Sequence, residues 1–217
     1  MGMPELTFPE DEAACLERLY ASARVILEYG SGGSTVLAAS MPGKYVISVE
    51  SDRDWAIDLQ RRIDQAALPS PSVVWHVDIG TTGRWGRPVD DTSWQKYHRY
   101  PVSIWSEPFF RHPDLVLIDG RFRAACLVAV ALRITRPVTV LFDDYVSRPS
   151  YHVVERVTQP VRTVGRMAEF RLQPRAPEPW LQDLLMDLCT QRSLAADVVP
   201  YGEPGPEGSD PTVPDLA

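Results

Sequence analysis

The stretch that decides the fold reads Val25-Ile26-Leu27-Glu28-Tyr29-Gly30-Ser31-Gly32-Gly33-Ser34-Thr35. It is a short apolar segment with one acidic residue, followed by a glycine-rich turn and by residues suited to open a helix. Such a turn lets the backbone approach a ligand closely and aims helix N-terminal N–H groups at it. A dinucleotide loop of the form G-x-G-x-x-G would need a glycine at Thr35, so the spacing disfavours a pyrophosphate cradle.

A second carboxylate, Glu50, follows the apolar run 45–49. A carboxylate at the end of the second strand of a βαβ unit is placed to accept hydrogen bonds from both ribose hydroxyls of a nucleoside. Acidic residues also favour helix N-termini, so a capping role is the alternative for Glu50 and the expected role of Asp52. Together with the glycine turn, Glu50 predicts a nucleoside site.

The loop resembles the E/D-x-G-x-G-x-G loop of the class I S-adenosylmethionine-dependent methyltransferases, because Glu28 stands two residues before the first glycine. Ser34 departs from the last glycine of that pattern. Asp78 matches the position from which the family approaches the adenine amino group, and a loop aspartate that bonds its own backbone is the alternative interpretation. The resemblance implies S-adenosylmethionine as cofactor, bound by Glu28, Gly30, Ser31, Gly32, Ser34, Glu50, Ser51, Asp78, Ile79 and Asp119.

Apolar runs alternate with helical patterns along the chain. The predicted strands are 25–29, 45–49, 73–77, 115–118, 138–142, 161–164 and 167–172, and the predicted helices are 8–23, 35–40, 53–67, 122–134, 150–157 and 180–195. Thr7 and Glu10 predict a capping box for the first helix, and Ser150 a cap for the fifth. Continuous apolar strands that alternate with helices predict an α/β fold with a doubly wound, mostly parallel sheet. The resemblance implies seven strands, the last antiparallel, with helices on both faces.

One domain accounts for most of the 217 residues. We expect a single Rossmann-like methyltransferase domain at 1–199, with an insertion at 81–112 and a C-terminal helix at 180–195. The acidic, proline-rich tail 200–217 has almost no bulky apolar groups and is predicted to be disordered.

Composition excludes several classes of partner. The net charge of −7 disfavours a nucleic-acid substrate. No apolar run approaches the roughly 20 residues that span a bilayer, and the N-terminus lacks a signal pattern. Cys15, Cys126 and Cys189 are too scattered for a disulfide framework or a zinc site. The sequence therefore predicts a cytoplasmic protein without membrane or nucleic-acid partners.

Acidic residues follow the fourth and fifth predicted strands: Asp119, then the pair Asp143 and Asp144. Their placement resembles magnesium-dependent small-molecule O-methyltransferases, in which such aspartates hold a metal that orients a hydroxyl and lowers its pKa. The resemblance implies Mg²⁺ at these three residues, with Asp119 and Arg121 as candidate catalytic residues. Alternatively, Arg121 or Arg123 pairs with the aspartates and replaces the metal.

The insertion 81–112 is aromatic and basic, opposite in sign to the whole chain. We expect a mobile lid that shapes the acceptor pocket, with Arg84 and Trp85 reaching inward. The alternative is that its aromatic residues only pin the loop to the sheet or form a homodimer contact.

These features predict a methyltransferase that acts on a small molecule, by O-methylation. Two other functions stay open from the sequence. One is a protein that binds S-adenosylmethionine or S-adenosylhomocysteine without turnover, which the missing obvious base permits. The other is an enzyme that uses NAD or another nucleotide on a similar sheet.

Overall fold

One seven-stranded sheet forms the centre of the molecule. The computed structural model describes residues 2–176 and 178–190. The strands are β1 (Val25–Tyr29), β2 (Tyr45–Glu50), β3 (Ser72–His76), β4 (Leu115–Ile118), β5 (Val138–Phe142), β6 (Arg162–Val164) and β7 (Met167–Leu172). Their order is β3-β2-β1-β4-β5-β7-β6, in which β1 to β5 run parallel and β7 pairs antiparallel with β5 and β6. The predicted fold class is confirmed.

Helices cover both faces of this sheet. They are α1 (Glu10–Ser22), α2 (Gly33–Ser40), α3 (Arg53–Ala66), α4 (Arg99–Val102), α5 (Arg123–Arg133) and α6 (Pro179–Cys189), with 3-10 segments at Arg84–Gly86, Trp94–Lys96, Ser103–Ser106 and Pro149–Arg156. Successive residues of β1 point to opposite faces, so Ile26 packs in one apolar cluster and Leu27 in the other. No helix among residues 2–176 and 178–190 is long and apolar enough to cross a bilayer.

Two predicted helix starts are wrong. The first helix begins at Glu10 behind Pro9, whose backbone is extended and whose side chain makes no cap. A proline also disfavours helical geometry in the residue before it, so Thr7 and Glu10 cannot form the predicted capping box. Ser150 lies inside a 3-10 segment that follows Arg148, not at the cap of an α-helix. By contrast, Asp52 caps α3 as expected, accepting from the backbone N–H of Trp55 at 3.0 Å.

The chain order creates a crevice at the carboxyl ends of the strands. From β1 the chain proceeds outward through β2 and β3, then returns to β4 on the other side of β1. Ligands of open α/β sheets bind at such a reversal of strand order. The end of the predicted helix, 191–195, and the tail 200–217 lie outside the described residues.

Candidate functional site

A cleft of about 470 Å³ opens at this crevice. Its walls come from the turn after β1, the ends of β2, β4 and β5, the insertion and the N-terminal segment 4–8. The sequence-predicted residues that line it are Gly30, Ser31, Gly32, Ser34, Glu50, Ser51, Trp85, Asp119, Arg121, Asp143 and Asp144. A volume of this size is typical of small-molecule and cofactor sites.

The glycine turn is held tightly against the loop that follows β4. Gly30 has φ +105°, and a Cβ there would lie 2.9 Å from the backbone nitrogen of Gly120. Its N–H donates to the carbonyl oxygen of Val49 at 2.9 Å. A side chain at Gly30 would therefore force β1 and β4 apart at the floor of the cleft.

Glu28 lies beneath the turn and does not line the cleft. Its side chain is fully buried, and its carboxylate accepts from the hydroxyls of Tyr20 at 2.5 Å, Thr35 at 2.5 Å and Ser48 at 2.6 Å. These donors come from α1, α2 and β2, so Glu28 joins three elements around the turn. Burial raises the pKa of Glu28, and the three hydrogen bonds oppose that rise.

We expect Tyr20→Phe to lower the free energy of unfolding by about 1–3 kcal/mol, because a buried carboxylate loses a donor. Because the folded-state pKa of Glu28 is raised, the stability that its protonated form contributes is lost as pH rises through that pKa. The hydrogen bond from Tyr20 favours the charged form of Glu28, so the destabilisation caused by Tyr20→Phe should be larger at pH 8 than at pH 5.5, measured by urea denaturation. Tyr145→Phe is the matched control, because its hydroxyl bonds the water-accessible Glu155. Equal losses in both variants would contradict this role.

Glu50 is fixed at the end of β2 with its carboxylate on the cleft. Oε1 accepts from the backbone N–H groups of Ser51 at 2.7 Å and Asp52 at 2.9 Å, and Oε2 accepts from the Ser31 hydroxyl at 2.7 Å. The side chain is only 7% exposed. An oriented carboxylate with one oxygen beside a serine hydroxyl is suited to accept hydrogen bonds from a diol.

The insertion meets Glu50 from the opposite side. Ser51 donates its hydroxyl to the carbonyl oxygen of Gly86 at 2.8 Å, and Trp85 lines the cleft in a left-handed conformation with φ +61°. Arg84 does not line the cleft and lies over the Trp85 ring at 5.3 Å. Of the two residues predicted to reach inward, Trp85 therefore lines the cleft and Arg84 does not.

The later part of the insertion packs on the domain. Tyr97 and Tyr100 are fully buried, and their rings lie 5.0 and 5.9 Å from that of Phe122. Aromatic residues there pin the loop to the sheet, as the alternative interpretation held, while the Trp85 region borders the cleft.

Asp78 and Ile79 lie outside the cleft. Asp78 accepts from the backbone N–H of Gly80 at 2.8 Å and from Lys96 at 2.8 Å, and both contacts lower its pKa. Ile79 is fully buried in the apolar core. The structure therefore gives Asp78 the loop geometry of the alternative interpretation and gives neither residue a contact with the cleft.

The three aspartates at the ends of β4 and β5 converge, as predicted. Ligand oxygens of Asp119, Asp143 and Asp144 lie within 4.8 Å of one another. The guanidinium of Arg123 stands among them, 2.9 Å from Asp119, 3.9 Å from Asp143 and 3.0 Å from Asp144. Arg166 adds two contacts of 2.9 Å to the two oxygens of Asp143.

This donor set does not fit a divalent cation. Each aspartate already faces a guanidinium, and Asp144 also lies 3.2 Å from both Arg148 and Arg166. A cation would stand beside the buried charge of Arg123, and both oxygens of Asp143 are held by Arg166. The predicted carboxylate cluster is thus present, but it is an aspartate–arginine network and not a Mg²⁺ site.

The network sets unequal pKa values. Removal from water raises the pKa of Asp119 to about 8; Arg123 opposes the rise, and the charges of Asp143 and Asp144 add to it. Burial would also raise the pKa of Asp144, but Arg123, Arg148 and Arg166 hold it below its ordinary value. Asp119 is 38% exposed. It is therefore a partly exposed carboxyl group at the cleft whose pKa lies above that of an ordinary aspartate.

Several lining residues were not predicted from the sequence: the segment Pro4 to Phe8, Trp55, Tyr100, Arg148 and Arg166. The N-terminal segment crosses the glycine turn, where a Cβ at Gly33 would collide with the carbonyl of Glu5. Pro4 and Pro9 were available as signals for an extended segment before α1, because proline fixes an extended or turn geometry.

The chain resembles proteins of known structure. The chain is 46% identical to a methyltransferase-like protein (spo2022) from Silicibacter pomeroyi, whose crystal structure matches with a TM-score of 0.83 over 87% of this chain and 98% of that one. The crystal structure of cofactor-bound Rv0187 from MTB matches with a TM-score of 0.51 at 18% identity, over 80% and 84% of the two chains, which supports the fold alone. No protein-family model and no curated protein sequence matches the chain.

Proposed function

The chain belongs to the family of S-adenosylmethionine-dependent methyltransferases, and from this premise we propose that it methylates an oxygen atom of a small molecule held in the cleft. S-adenosylmethionine, when bound, supplies an electrophilic methyl group on a sulfonium. The protein must then place the acceptor in line with that methyl group, exclude water and take up the proton of the acceptor.

The residues at the glycine turn and at the end of β2 fit this cofactor. Because Gly30 has no side chain, the turn after β1 can lie directly against Gly120 at the floor of the cleft. A Cβ at Gly32 would meet only open space. We assign the ribose diol to Glu50 and Ser31, and the base to the side of the cleft that Trp55 and Trp85 border. In this assignment the cofactor makes no direct contact with Glu28, Asp78 or Ile79.

The observation that carries the O-methylation proposal is Asp119. It lies on the floor of the cleft beside Gly120, on the opposite side from Glu50, and its pKa is raised to about 8. A phenol or an acidic alcohol must lose a proton when its oxygen attacks a methyl group. A carboxylate with this pKa is a stronger base than an ordinary aspartate and is suited to accept that proton.

The form of the cleft supports a small acceptor. Its lining includes the N-terminal segment 4–8 and the insertion at Trp85–Arg87 as well as the ends of the strands. The chain carries a net charge of −7, which disfavours the extended phosphate contacts that a nucleic acid needs. These features support a substrate that enters the cavity whole.

A methyl-transfer assay tests the proposal. Purified protein and methyl-labelled S-adenosylmethionine are incubated with hydroxylated aromatic compounds, with the same compounds blocked as methyl ethers, and with RNA. We expect S-adenosylhomocysteine to form and label to enter an ether only where a free hydroxyl is present. Label that enters RNA, or amine analogues but no hydroxyl compound, would contradict O-methylation of a small molecule.

A further inference from the structure

Arg121 differs from the other arginines at the aspartate end of the cleft. Arg123, Arg148 and Arg166 each contact at least one of the three aspartates. Within residues 2–176 and 178–190, no ion pair links a carboxylate to the guanidinium of Arg121, and its Nε is buried without a hydrogen-bond partner. Because an arginine is always charged, Arg121 contributes a cation to the lining of the cleft.

The cleft as a whole carries charged residues of both signs. Its lining includes the arginines Arg87, Arg121, Arg123, Arg148 and Arg166 and the acidic residues Glu5, Glu50, Asp52, Asp119, Asp143 and Asp144. Arg121 is therefore distinguished by the missing ion pair among the described residues and by its buried, unpartnered Nε, and not by a surplus of positive charge. A buried donor that lacks a partner costs free energy until a ligand satisfies it.

The backbone holds Arg121 in this position. Phe122 adopts a left-handed conformation with φ +50°, which is uncommon for a bulky residue. Its ring is 4% exposed and packs against Tyr97 and Tyr100, so the surrounding aromatic residues maintain the unusual turn. Backbone strain of this kind persists where the surroundings over-determine it, often at ligand sites.

We infer that Arg121 binds an anionic oxygen group of a ligand in the cleft, by charge-assisted hydrogen bonds from its guanidinium. The inference rests on the proposed function, because it assigns a negative charge to the ligand that the cleft binds. Two groups can supply this anionic oxygen: the carboxylate of the amino-acid part of the cofactor, and an acidic group on the methyl acceptor. In the second case the enzyme acts on an anionic small molecule.

The test compares Arg121→Gln with the wild type by titration calorimetry. The first arm uses S-adenosylhomocysteine and 5′-methylthioadenosine, which share the thioether nucleoside but differ in the amino-acid group. The second arm titrates benzoate, inorganic phosphate and neutral benzyl alcohol into protein saturated with S-adenosylhomocysteine. Arg133→Gln is the matched control, because Arg133 is exposed at the far end of α5.

If the cofactor supplies the anion, Arg121→Gln should weaken S-adenosylhomocysteine binding by about ten- to a hundredfold and leave methylthioadenosine binding unchanged. If the acceptor supplies it, both nucleosides should bind as in the wild type, and anion binding in the second arm should fall at least tenfold. An Arg121→Gln variant that matches Arg133→Gln in both arms would overturn the inference. Retained methylthioadenosine binding shows an intact site, so this result is independent of whether any hydroxyl compound is methylated.

Discussion

Asp119→Asn is expected to lower kcat by about 10²- to 10⁴-fold while S-adenosylhomocysteine binds within a fewfold of the wild-type affinity. Asparagine has nearly the same shape but cannot accept the proton of the acceptor, and loss of a general base has an effect of this size. The carboxyl group of Asp119 faces the cleft at the end of β4, beside the buried Arg123. The measurement is a single-turnover assay with the best acceptor from the panel.

The pH dependence provides a second readout of the same role. Asp119 acts as a base only when deprotonated, and its pKa is raised to about 8. Wild-type kcat/KM should therefore rise with pH through a midpoint near 8, and this limb should be missing in Asp119→Asn. Asp183→Asn on the exposed face of α6 is the charge-matched control. A profile in Asp119→Asn with the same midpoint as the wild type would mean that another group takes the proton.

Glu50→Ala is expected to weaken S-adenosylhomocysteine binding by more than tenfold. Two charge-assisted hydrogen bonds to the ribose are at stake, each contributing about 1.5–3 kcal/mol. The backbone N–H groups of Ser51 and Asp52 already orient the carboxylate before a ligand arrives, so little ordering opposes binding.

Glu50→Gln separates charge from shape, because the amide oxygen can still accept from Ser51 and Asp52. We expect an affinity between those of the wild type and Glu50→Ala. Asp54→Ala removes an exposed carboxylate from the first turn of α3 and serves as the control for general charge effects. If Glu50→Ala bound as tightly as Asp54→Ala, Glu50 would have only a local role at the start of α3.

The sequence predicts the sheet and the cofactor side of the cleft well because their signals are local. Strands buried on both faces appear as unbroken apolar runs, and the carboxyl ends of parallel strands meet at one edge. Glu50 and Asp119 could therefore be placed at the same edge of the sheet without coordinates. The same reasoning predicts that Asp119, Asp143 and Asp144 form one cluster.

Only part of the set of cations beside those aspartates could be predicted in this way. Arg123 follows Asp119 by four residues and was offered from the sequence as an alternative to the metal, but Arg166 reaches Asp143 from the hairpin between β6 and β7. A contact of this kind depends on tertiary packing, which no spacing in the sequence encodes. The same limit applies to Phe8, whose ring lies 5.8 Å from the Arg166 guanidinium.

The insertion shows where local interpretation is ambiguous. Its aromatic residues serve both predicted uses, since Tyr97 packs in the core while Trp85 borders the cleft. Both are aromatic residues of one loop, and the sequence pattern alone does not show which of them faces the cleft. Mobility of residues 81–112 as a lid remains a prediction.

Titration calorimetry of the wild-type protein shows which nucleoside the cleft binds. S-adenosylhomocysteine and NAD are titrated separately into the same preparation, because both carry an adenosine but the glycine turn lacks the third glycine of a dinucleotide loop, at Thr35. We expect saturable one-to-one binding of S-adenosylhomocysteine and no measurable binding of NAD. Binding of NAD without binding of S-adenosylhomocysteine would contradict it.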